Sequence, residues 1–257
     1  MGLRFASLGS GSKGNGTVVA SGDHFLLVDC GFTIKETERR MARLGMSPAD
    51  ISAIVVTHEH SDHLSGVGPL ARRYGLPVYL TPGTFKARDI GKLPELHLIE
   101  GHQPFVVADI QVTPVAVPHD AREAAQFVFR YRGSSLGLLT DLGTITPHVE
   151  THFGDCDALV LEANHDPLML AQGPYPPSLK RRVGGAYGHL SNQQAAGFLQ
   201  RVGYEQLQHL VVAHISEKNN SLALAKEALA EVAETVESCI FACQQEGFDW
   251  LTVESRS

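Results

Sequence analysis

The chain has 257 residues, of which 43% are hydrophobic, and a formal net charge of −7 at pH 7. This hydrophobic fraction excludes a disordered chain, and the acidic balance argues against a protein that coats nucleic acid through a generally basic surface. At this length we expect a single α/β domain over residues 1–257 with a full hydrophobic core.

The first quarter of the chain predicts strands on either side of a glycine-rich turn, followed by one capped helix. Strands are predicted over residues 3–8, 17–20, 25–28 and 51–57. The turn, residues 9–16, could cradle a phosphate with its backbone N–H groups, or could be a plain tight turn, since it lacks the spacing of a nucleotide-binding fingerprint. Thr33-x-x-Glu36 is a capping box that predicts a helix to about Leu44, with Gly45 as its stop.

From residue 64 onward the pattern is rich in strands. Strands are predicted over residues 78–81, 96–100, 105–108, 111–117, 125–131, 135–139, 158–162 and 209–213, with two closing strands around Phe241 and Leu251. Helices are predicted over residues 64–74, from the capping box Ser191-x-x-Gln194 to Val202, and over residues 222–236. The proline-rich residues 173–177 predict an excursion within the domain, because no break in composition accompanies them.

The four cysteines predict reduced thiols. Cys239 and Cys243 lie in a strand-like run, where four residues span roughly 13 Å, too far for a disulfide. Residues 1–10 lack a charged segment followed by an apolar one, and no run approaches the ~20 apolar residues that span a bilayer. We therefore expect a soluble cytoplasmic protein without membrane contact. A homodimer is compatible with the sequence, and no feature identifies another protein partner.

A dense cluster of metal-ligand residue types begins at the end of the predicted strand 51–57. The sequence from Thr57 to His63 reads THEHSDH and contains three histidines and one aspartate. Imidazole nitrogen and carboxylate oxygen together suit zinc, manganese or iron. In extended backbone His58, His60 and Asp62 share a face, and the turn that follows would bring His63 round. The cluster predicts a metal site, which we expect Asp29 to brace from the end of strand 25–28.

Three further ligand types stand immediately after predicted strands. His119 follows strand 111–117, Asp141 follows strand 135–139, and His214 follows strand 209–213. Sites in sheet proteins gather at the carboxyl ends of strands, so these side chains are candidates for the same site. Each of them alone is also typical of a cap or a solvated turn.

The seven candidate ligands occur in an order that resembles the metallo-β-lactamase superfamily. They are His58, His60, Asp62 and His63, then His119, Asp141 and His214. The resemblance covers nearly the whole chain and implies an αββα sandwich, with two mixed sheets flanked by helices. It also implies that His58, His60 and His119 hold one divalent metal ion and Asp62, His63 and His214 a second, with Asp141 bridging the two.

Further segments resemble the YycJ (WalJ) group of this superfamily. They are SLGSGS at residues 7–12 with Gly14-Asn15, PHDA at 118–121, EANHD at 162–166, GPYP at 173–176, GHLSN at 188–192, and AHIS at 213–216 with Asn219-Asn220. Members of this group are viewed as DNA-processing enzymes, and 5′-to-3′ exonuclease activity is the property most associated with them. The resemblance therefore implies DNA as the substrate.

Glu162 and His189 are candidate catalytic residues. They resemble a pair in the related tRNA 3′-processing nucleases, in which an acidic residue orients a histidine that protonates the leaving oxygen. Independently of that, His189 lies two residues before the predicted N-cap Ser191, close to the positive end of a helix, where phosphate groups bind. The alternative is a structural histidine bonded to a loop, and His165 is a weaker candidate for the same role.

Several residues are candidates for contact with the substrate. The run Lys180-Arg181-Arg182, predicted on a loop, is either a phosphate-tracking patch or a solvated basic segment. Ser12 and Asn15 of the glycine-rich turn are predicted to contact substrate phosphate as well. The rings of two tyrosines near these segments could stack against bases, although buried tyrosines are commoner. These are Tyr175 and Tyr187.

The predicted function is a binuclear-metal phosphodiesterase, a 5′-to-3′ exonuclease acting on DNA through a metal-bridging hydroxide. Two zinc or manganese ions would lower the pKa of the bridging water from ~15.7 toward neutrality. Asp62 would accept or hold its proton, and His189, oriented by Glu162, would protonate the departing 3′-oxygen.

Two other functions use the same kind of metal core. One is a small-molecule cyclic phosphodiesterase, which would need the same residues. The other is a glyoxalase II-like hydrolase of thioesters or lactones. The segment GHLS at residues 188–191 favours a phosphodiesterase, because esters with good leaving groups need no proton donor.

Overall fold

The protein is described from a computed structural model, which covers residues 2–256 and contains fourteen strands and ten α-helices there. The strands are β1 Leu3–Gly9, β2 Gly16–Ser21, β3 His24–Val28, β4 Ile51–Val55, β5 Pro77–Leu80, β6 Glu95–Leu98, β7 Phe105–Val107, β8 Ile110–Ala116, β9 Ala125–Tyr131, β10 Ser134–Leu139, β11 Ala158–Glu162, β12 His209–Ala213, β13 Ser238–Phe241 and β14 Phe248–Val253. The helices are α1 Ile34–Arg43, α2 Ser61–Leu64, α3 Val67–Tyr74, α4 Pro82–Ala87, α5 Pro147–Phe153, α6 Pro167–Gln172, α7 Pro177–Val183, α8 Asn192–Val202, α9 Leu222–Ala228 and α10 Ala230–Thr235.

The strands form two seven-stranded sheets of matching design. The first sheet has the order β14-β1-β2-β3-β4-β5-β6, antiparallel as far as β3 and parallel from β3 to β6. The second has the order β13-β12-β11-β10-β9-β8-β7, parallel as far as β10 and antiparallel beyond it. Each sheet is therefore mixed, and the prediction of two mixed sheets is confirmed.

Three apolar layers hold these elements together. The inner faces of the two sheets share one core, in which Phe5, Phe127 and Phe129 are fully buried. Helices cover the outer faces: Met41 of α1 packs on the first sheet, and Phe198 of α8 packs on the second. Burial of each large side chain of this kind contributes roughly 1.5–3 kcal/mol. The layers run helix, sheet, sheet, helix, which confirms the predicted αββα sandwich.

The two predicted capping boxes have different outcomes. At the start of α8 both halves form: Ser191 Oγ accepts from the backbone N–H of Gln194, and Gln194 Oε1 accepts from the backbone N–H of Ser191. At the start of α1 only Thr33 makes its bond, to the N–H of Glu36. The carboxylate of Glu36 pairs instead with Arg39 at 2.7 Å and Arg40 at 2.6 Å, so this box is half formed.

Several predicted boundaries are wrong. The helix predicted over residues 64–74 begins at Val67, after the separate turn α2, and the helix predicted over 222–236 is interrupted at Leu229. The basic run 180–182 lies on helix α7 and not on a loop. Pro177 begins this helix, and proline is favoured there because a backbone N–H in the first turn would have no partner within the helix. This places the basic side chains in the last turn of a helix.

The four cysteines are unpaired within residues 2–256. Cys239 lies on β13 as predicted, whereas Cys243 lies beyond the end of that strand, in an isolated bridge with Gly247. The prediction that both belong to one strand is therefore wrong for Cys243. Within the described residues, no helix combines the length and the apolar character needed to cross a bilayer.

Candidate active site

The predicted metal ligands converge at one edge of the sandwich, in the segments that follow β4, β8, β10 and β12. Each of three groups of residues offers ligand atoms that all lie within 4.8 Å of one another. The groups are His58, His60 and His119; His58, His63 and Asp141; and Asp141, His189 and His214. Asp62 belongs to none of these groups, but its Oδ2 lies 3.5 Å from His63 Nε2. The structure thus brings all seven predicted ligands together, with His189 beside them.

Hydrogen bonds fix which nitrogen of His58 and His63 faces the site. Asp29 accepts from Thr57 Oγ1 and from His63 Nδ1, each at 2.8 Å. Since the Thr57 hydroxyl donates to Asp29, its oxygen accepts from His58 Nδ1 at 2.9 Å. Both histidines therefore present Nε2 to the site, because a hydrogen bond at one ring nitrogen leaves the other free to bind a metal. Asp29 occupies the bracing position predicted for it.

The other pair of histidines is fixed by backbone carbonyls. His60 Nε2 donates to the carbonyl of Asp120 at 3.3 Å, and His119 Nδ1 donates to the carbonyl of Gly188 at 3.1 Å. The opposite nitrogens, His60 Nδ1 and His119 Nε2, lie 3.3 Å apart. Two lone-pair-bearing nitrogens at this separation are suited to share one ion.

Three buried atoms of the ligand cluster have no hydrogen-bond partner within residues 2–256. They are His58 Nε2, Asp141 Oδ2 and His214 Nδ1, on side chains that are almost fully buried. An unpaired buried polar atom costs free energy, so such atoms are rare unless an ion or water satisfies them. Divalent cations between the imidazole nitrogens and the carboxylate oxygen would satisfy these atoms, and the donor set fits zinc or manganese.

The pKa values of the clustered residues are shifted in different directions. Burial, reinforced by the neighbouring His63, holds the pKa of His58 well below its usual value, so this ring is neutral and can bind a metal. Burial alone would lower the pKa of His63 and raise that of Asp141. The attraction between Asp141 and the histidines around it, with Asp29 also beside His63, reverses both directions. A cation at this site would take the place of the protons that these carboxylates hold on the imidazoles.

Three buried residues of the site have a left-handed backbone. The φ angles are 60° at Asp29, 56° at Asp141 and 53° at His214, each directly or shortly after a strand. For residues with a Cβ this conformation costs about 1–3 kcal/mol each. Backbone bonds hold two of them: the N–H of Asp29 donates to the carbonyl of Val55 at 2.9 Å, and that of His214 donates to Ser10 Oγ at 3.0 Å. The left-handed backbone conformation directs these side chains toward the site.

The glycine-rich turn supports the THEHSDH loop from beneath. The backbone N–H of Asn15 donates to the carbonyl of Asp62 at 2.7 Å, and its side-chain amide donates to Asp62 Oδ2 at 3.3 Å. The amide also lies 3.0 Å from His63 Nε2 and is almost completely buried. Gly31 allows this approach, because a Cβ there would lie 1.8 Å from the Asp62 carbonyl oxygen. Asn15 therefore holds Asp62, and its contact with substrate phosphate stays a prediction.

Glu162 and His189 form a hydrogen-bonded pair next to Asp141. His189 Nδ1 donates to Glu162 Oε1 at 2.6 Å, while Glu162 Oε2 accepts from the N–H of Leu142 at 3.2 Å. Burial would lower the pKa of His189, but the fully buried carboxylate of Glu162 outweighs it and raises this pKa to about 9. The carboxylate of Glu162 thus favours the protonated form of His189, with Nδ1 committed to Glu162 and Nε2 left for another partner.

A cleft of about 330 Å³ opens onto the cluster. It is lined by Ser12, Asp62, Tyr175 and His189, as the sequence predicted for substrate contacts and catalytic groups. Its remaining lining includes Asp120, Asn164, Leu179, Arg182 and Asn219. Asp120 had no predicted role, although its position next to His119 was a signal that it would reach the site.

The basic run and the second tyrosine contribute less to the cleft than predicted. Of the three basic residues only Arg182 lines it, while Lys180 Nζ donates to the carbonyl of Ala171 at 2.6 Å. Tyr187 is 63% exposed and lies outside the cleft lining. His165 is buried and also lies outside this lining. The helical geometry of α7 explains the first difference, because successive side chains on a helix point in different directions.

Asp29→Asn is expected to weaken metal binding by about 10–100-fold, because the amide cannot accept from His63 as a carboxylate does and leaves that ring loosely held. Metal titration of the apoprotein measures the effect. Asp157→Asn is the matched control, since Asp157 is a buried carboxylate that accepts from the N–H and Oγ of Ser135 at 2.7 and 2.6 Å, away from the cleft. Equal metal affinity in the Asp29 variant and the wild type would show that the brace does not act on the metal.

Known proteins are similar to this chain along most of its length. The family profile of the β-lactamase superfamily domain matches residues 24–215. Exodeoxyribonuclease YycJ of Bacillus anthracis is 38% identical over 238 residues, covering 91% of this chain and 90% of that protein. Exodeoxyribonuclease WalJ of Streptococcus pneumoniae strain D39 is 34% identical over 231 residues, covering 88% of this chain and 86% of that protein. The crystal structure of the metallo-β-lactamase fold protein YhfI from Bacillus subtilis superposes with a TM-score of 0.75 at 16% identity, covering 97% of this chain and 99% of that one, which shows the shared fold.

Proposed function

The chain belongs to the β-lactamase superfamily and is a metal-dependent hydrolase, and we propose that its substrate is DNA, which it degrades as a 5′-to-3′ exonuclease. The predicted membership is thereby confirmed. The substrate proposal is supported by the names of the two relatives that match most of the chain. The observation that carries the phosphodiesterase chemistry is the pair of His189, which lines the cleft, and Glu162, which together form a positioned proton donor beside the candidate metal ligands.

The seven predicted ligands would hold two divalent ions. His58, His60 and His119 would hold one and Asp62, His63 and His214 the other, with Asp141 shared between them. Bound zinc or manganese ions would activate the attacking water and neutralise the non-bridging oxygens of the phosphate. The unpaired atoms His58 Nε2 and Asp141 Oδ2 support this assignment.

The chain's own residues would move the protons. Asp62, which lines the cleft and is held by Asn15, would accept the proton of the attacking water or hold that water in line. His189 would give its proton from Nε2 to the departing 3′-oxygen, while Glu162 keeps the ring oriented and charged. A positioned acid of this kind contributes roughly 10²–10⁴-fold to the rate.

A small-molecule cyclic phosphodiesterase is the second candidate. The cleft volume of about 330 Å³ lies at the small end of the range for small-molecule sites, and a cyclic nucleotide would use the same residues. The glyoxalase II-like alternative is less well supported, because the thiolate of a thioester is a good leaving group that departs without help from an acid such as His189.

The test is a degradation assay on 5′-phosphorylated single-stranded DNA with purified protein and added manganese or zinc. An oligonucleotide labelled at the 3′ end should give a ladder of shortening products, and one labelled at the 5′ end should release its label at once. A protein that contains metal, leaves DNA intact and hydrolyses bis(p-nitrophenyl) phosphate or a cyclic nucleotide would exclude the nuclease. Metal analysis should find about two ions per chain.

A further inference from the structure

Asp120 connects the candidate metal ligands to an arginine at the cleft. Its backbone carbonyl accepts from His60 Nε2 at 3.3 Å, and its Oδ1 lies 3.5 Å from His119 Nε2 and 3.7 Å from His60 Nε2. Its other oxygen, Oδ2, accepts from Nε of Arg182 in the last turn of α7. One carboxylate therefore separates the guanidinium of Arg182 from the histidines.

Arg182 has hydrogen-bond donors that are free to bind a ligand. Its side chain is 58% exposed and lines the cleft, and only Nε has a hydrogen-bond partner within residues 2–256. The two terminal NH₂ groups of a guanidinium form a planar fork that matches two oxygens of a phosphate. Asp120 occupies the side of the guanidinium that such a phosphate would not use.

The contact with Asp120 has a clear physical effect on Arg182. A long, half-exposed arginine side chain samples many rotamers, and fixing one of them on substrate binding costs conformational entropy. The bond to Asp120 fixes the guanidinium beforehand, although it places a carboxylate near the path of an anionic substrate. Only the carboxylate of Asp120 lies between Arg182 and the candidate metal-binding histidines. A phosphate bound by Arg182 would therefore be next along the chain of the substrate to the phosphate under attack.

We propose that Asp120 is a positioning residue, which holds Arg182 to bind the phosphate adjacent to the scissile one. This inference rests on the proposed nuclease function and deepens it. The site would thereby favour a polynucleotide, which carries that second phosphate, over an isolated phosphodiester such as bis(p-nitrophenyl) phosphate, which does not.

Steady-state kinetics on a 5′-phosphorylated oligonucleotide and on bis(p-nitrophenyl) phosphate test the role of Arg182. Arg182→Ala should raise KM for the oligonucleotide by about 10–100-fold, the effect of losing a hydrogen bond to a charged group, and change kcat less. The ratio of kcat/KM on the oligonucleotide to that on the small ester should fall. Arg201→Ala is the matched control, because Arg201 is 53% exposed and its Nε donates to Glu150 at 2.6 Å, outside the cleft lining. Equal losses on both substrates, or none, overturn the proposal.

Asp120→Asn tests whether Asp120 acts through Arg182. This variant should raise KM for the oligonucleotide by several-fold in the wild-type background and by nothing further in the Arg182→Ala background. Additive effects, a lower KM, or loss of metal from Asp120→Asn would show that Asp120 acts through His60 and His119 or repels the substrate, and would overturn the proposal. A wild-type protein that cleaves only small phosphodiesters overturns the nuclease function itself, and this inference with it.

Discussion

His58→Ala is expected to lower activity by about 10³-fold or more and to reduce the metal content of the purified protein. His58 is the histidine shared by two of the three ligand groups, and its Nε2 is buried without a partner within residues 2–256. Removing the ring takes a ligand from the centre of the cluster, where metal ions supply several kcal/mol of charge stabilisation. At 1.36 kcal/mol for each factor of ten, a loss of about 4 kcal/mol gives the stated factor.

Metal analysis and the DNA assay check this prediction together. His97→Ala is the control, since His97 lies on the edge strand β6, half-exposed and bonded to Glu95 at 2.7 Å. Chelator treatment should bring the wild type down to the activity of His58→Ala, and added zinc or manganese should restore the wild type alone. A His58 variant with full metal content and full activity would remove His58 from the ligand set.

Local sequence patterns were sufficient to predict the strands and part of the grouping of the ligands. Alternating and continuous apolar runs identify strands such as β1 and β9, because the burial pattern of a strand is visible in the hydrophobicity of consecutive residues. The ligand types stand directly after strands, and the carboxyl ends of neighbouring parallel strands meet at one edge of a sheet. This argument groups Asp141 with His214, which follow β10 and β12 of the second sheet. The THEHSDH loop follows β4 of the first sheet, and its approach to these two residues was implied by the family resemblance.

Four short helices were missed although the sequence signals them. Each begins with proline in the first turn: Pro82 after Thr81, Pro147 after Thr146, Pro167 after Asp166, and Pro177 after Pro176. Three of the four have a side-chain N-cap directly before the proline, and this combination is typical of a helix start. If a proline is taken only as a break in the chain, the helix that it begins is missed, as for α7, which carries Arg182.

Other features of the site depend on contacts between distant segments. The partner of Arg182 is Asp120, 62 residues away in the sequence, and Asn15 meets Asp62 across 47 residues. No local pattern states whether an asparagine in a glycine-rich turn faces the substrate or the loop above it. Only the tertiary structure shows that Asn15 bonds to Asp62.

The structure also bears on whether His189 could be a metal ligand as well as the proposed proton donor. Its Nδ1 lies 3.8 Å from Asp141 Oδ1, which would permit a place among the metal ligands, but only 2.6 Å from Glu162 Oε1. The shorter contact, with a carboxylate that has no exposed surface, commits this nitrogen to Glu162. Nε2 is then the atom that can serve the substrate, which is the arrangement a proton donor requires.

His189→Ala is accordingly expected to lower kcat on DNA by about 10²–10⁴-fold while the metal content stays at the wild-type level. The loss should be smaller on bis(p-nitrophenyl) phosphate, because p-nitrophenolate departs more readily without a proton than a sugar 3′-oxygen does. His165→Gln is the comparison, as a buried histidine outside the cleft lining whose replacement should cost much less. Loss of metal in His189→Ala would make His189 a ligand, and equal losses on both substrates would mean that it does not protonate the leaving group. Dependence of the loss on the leaving group, with metal retained, is a result that a purely structural histidine would not produce.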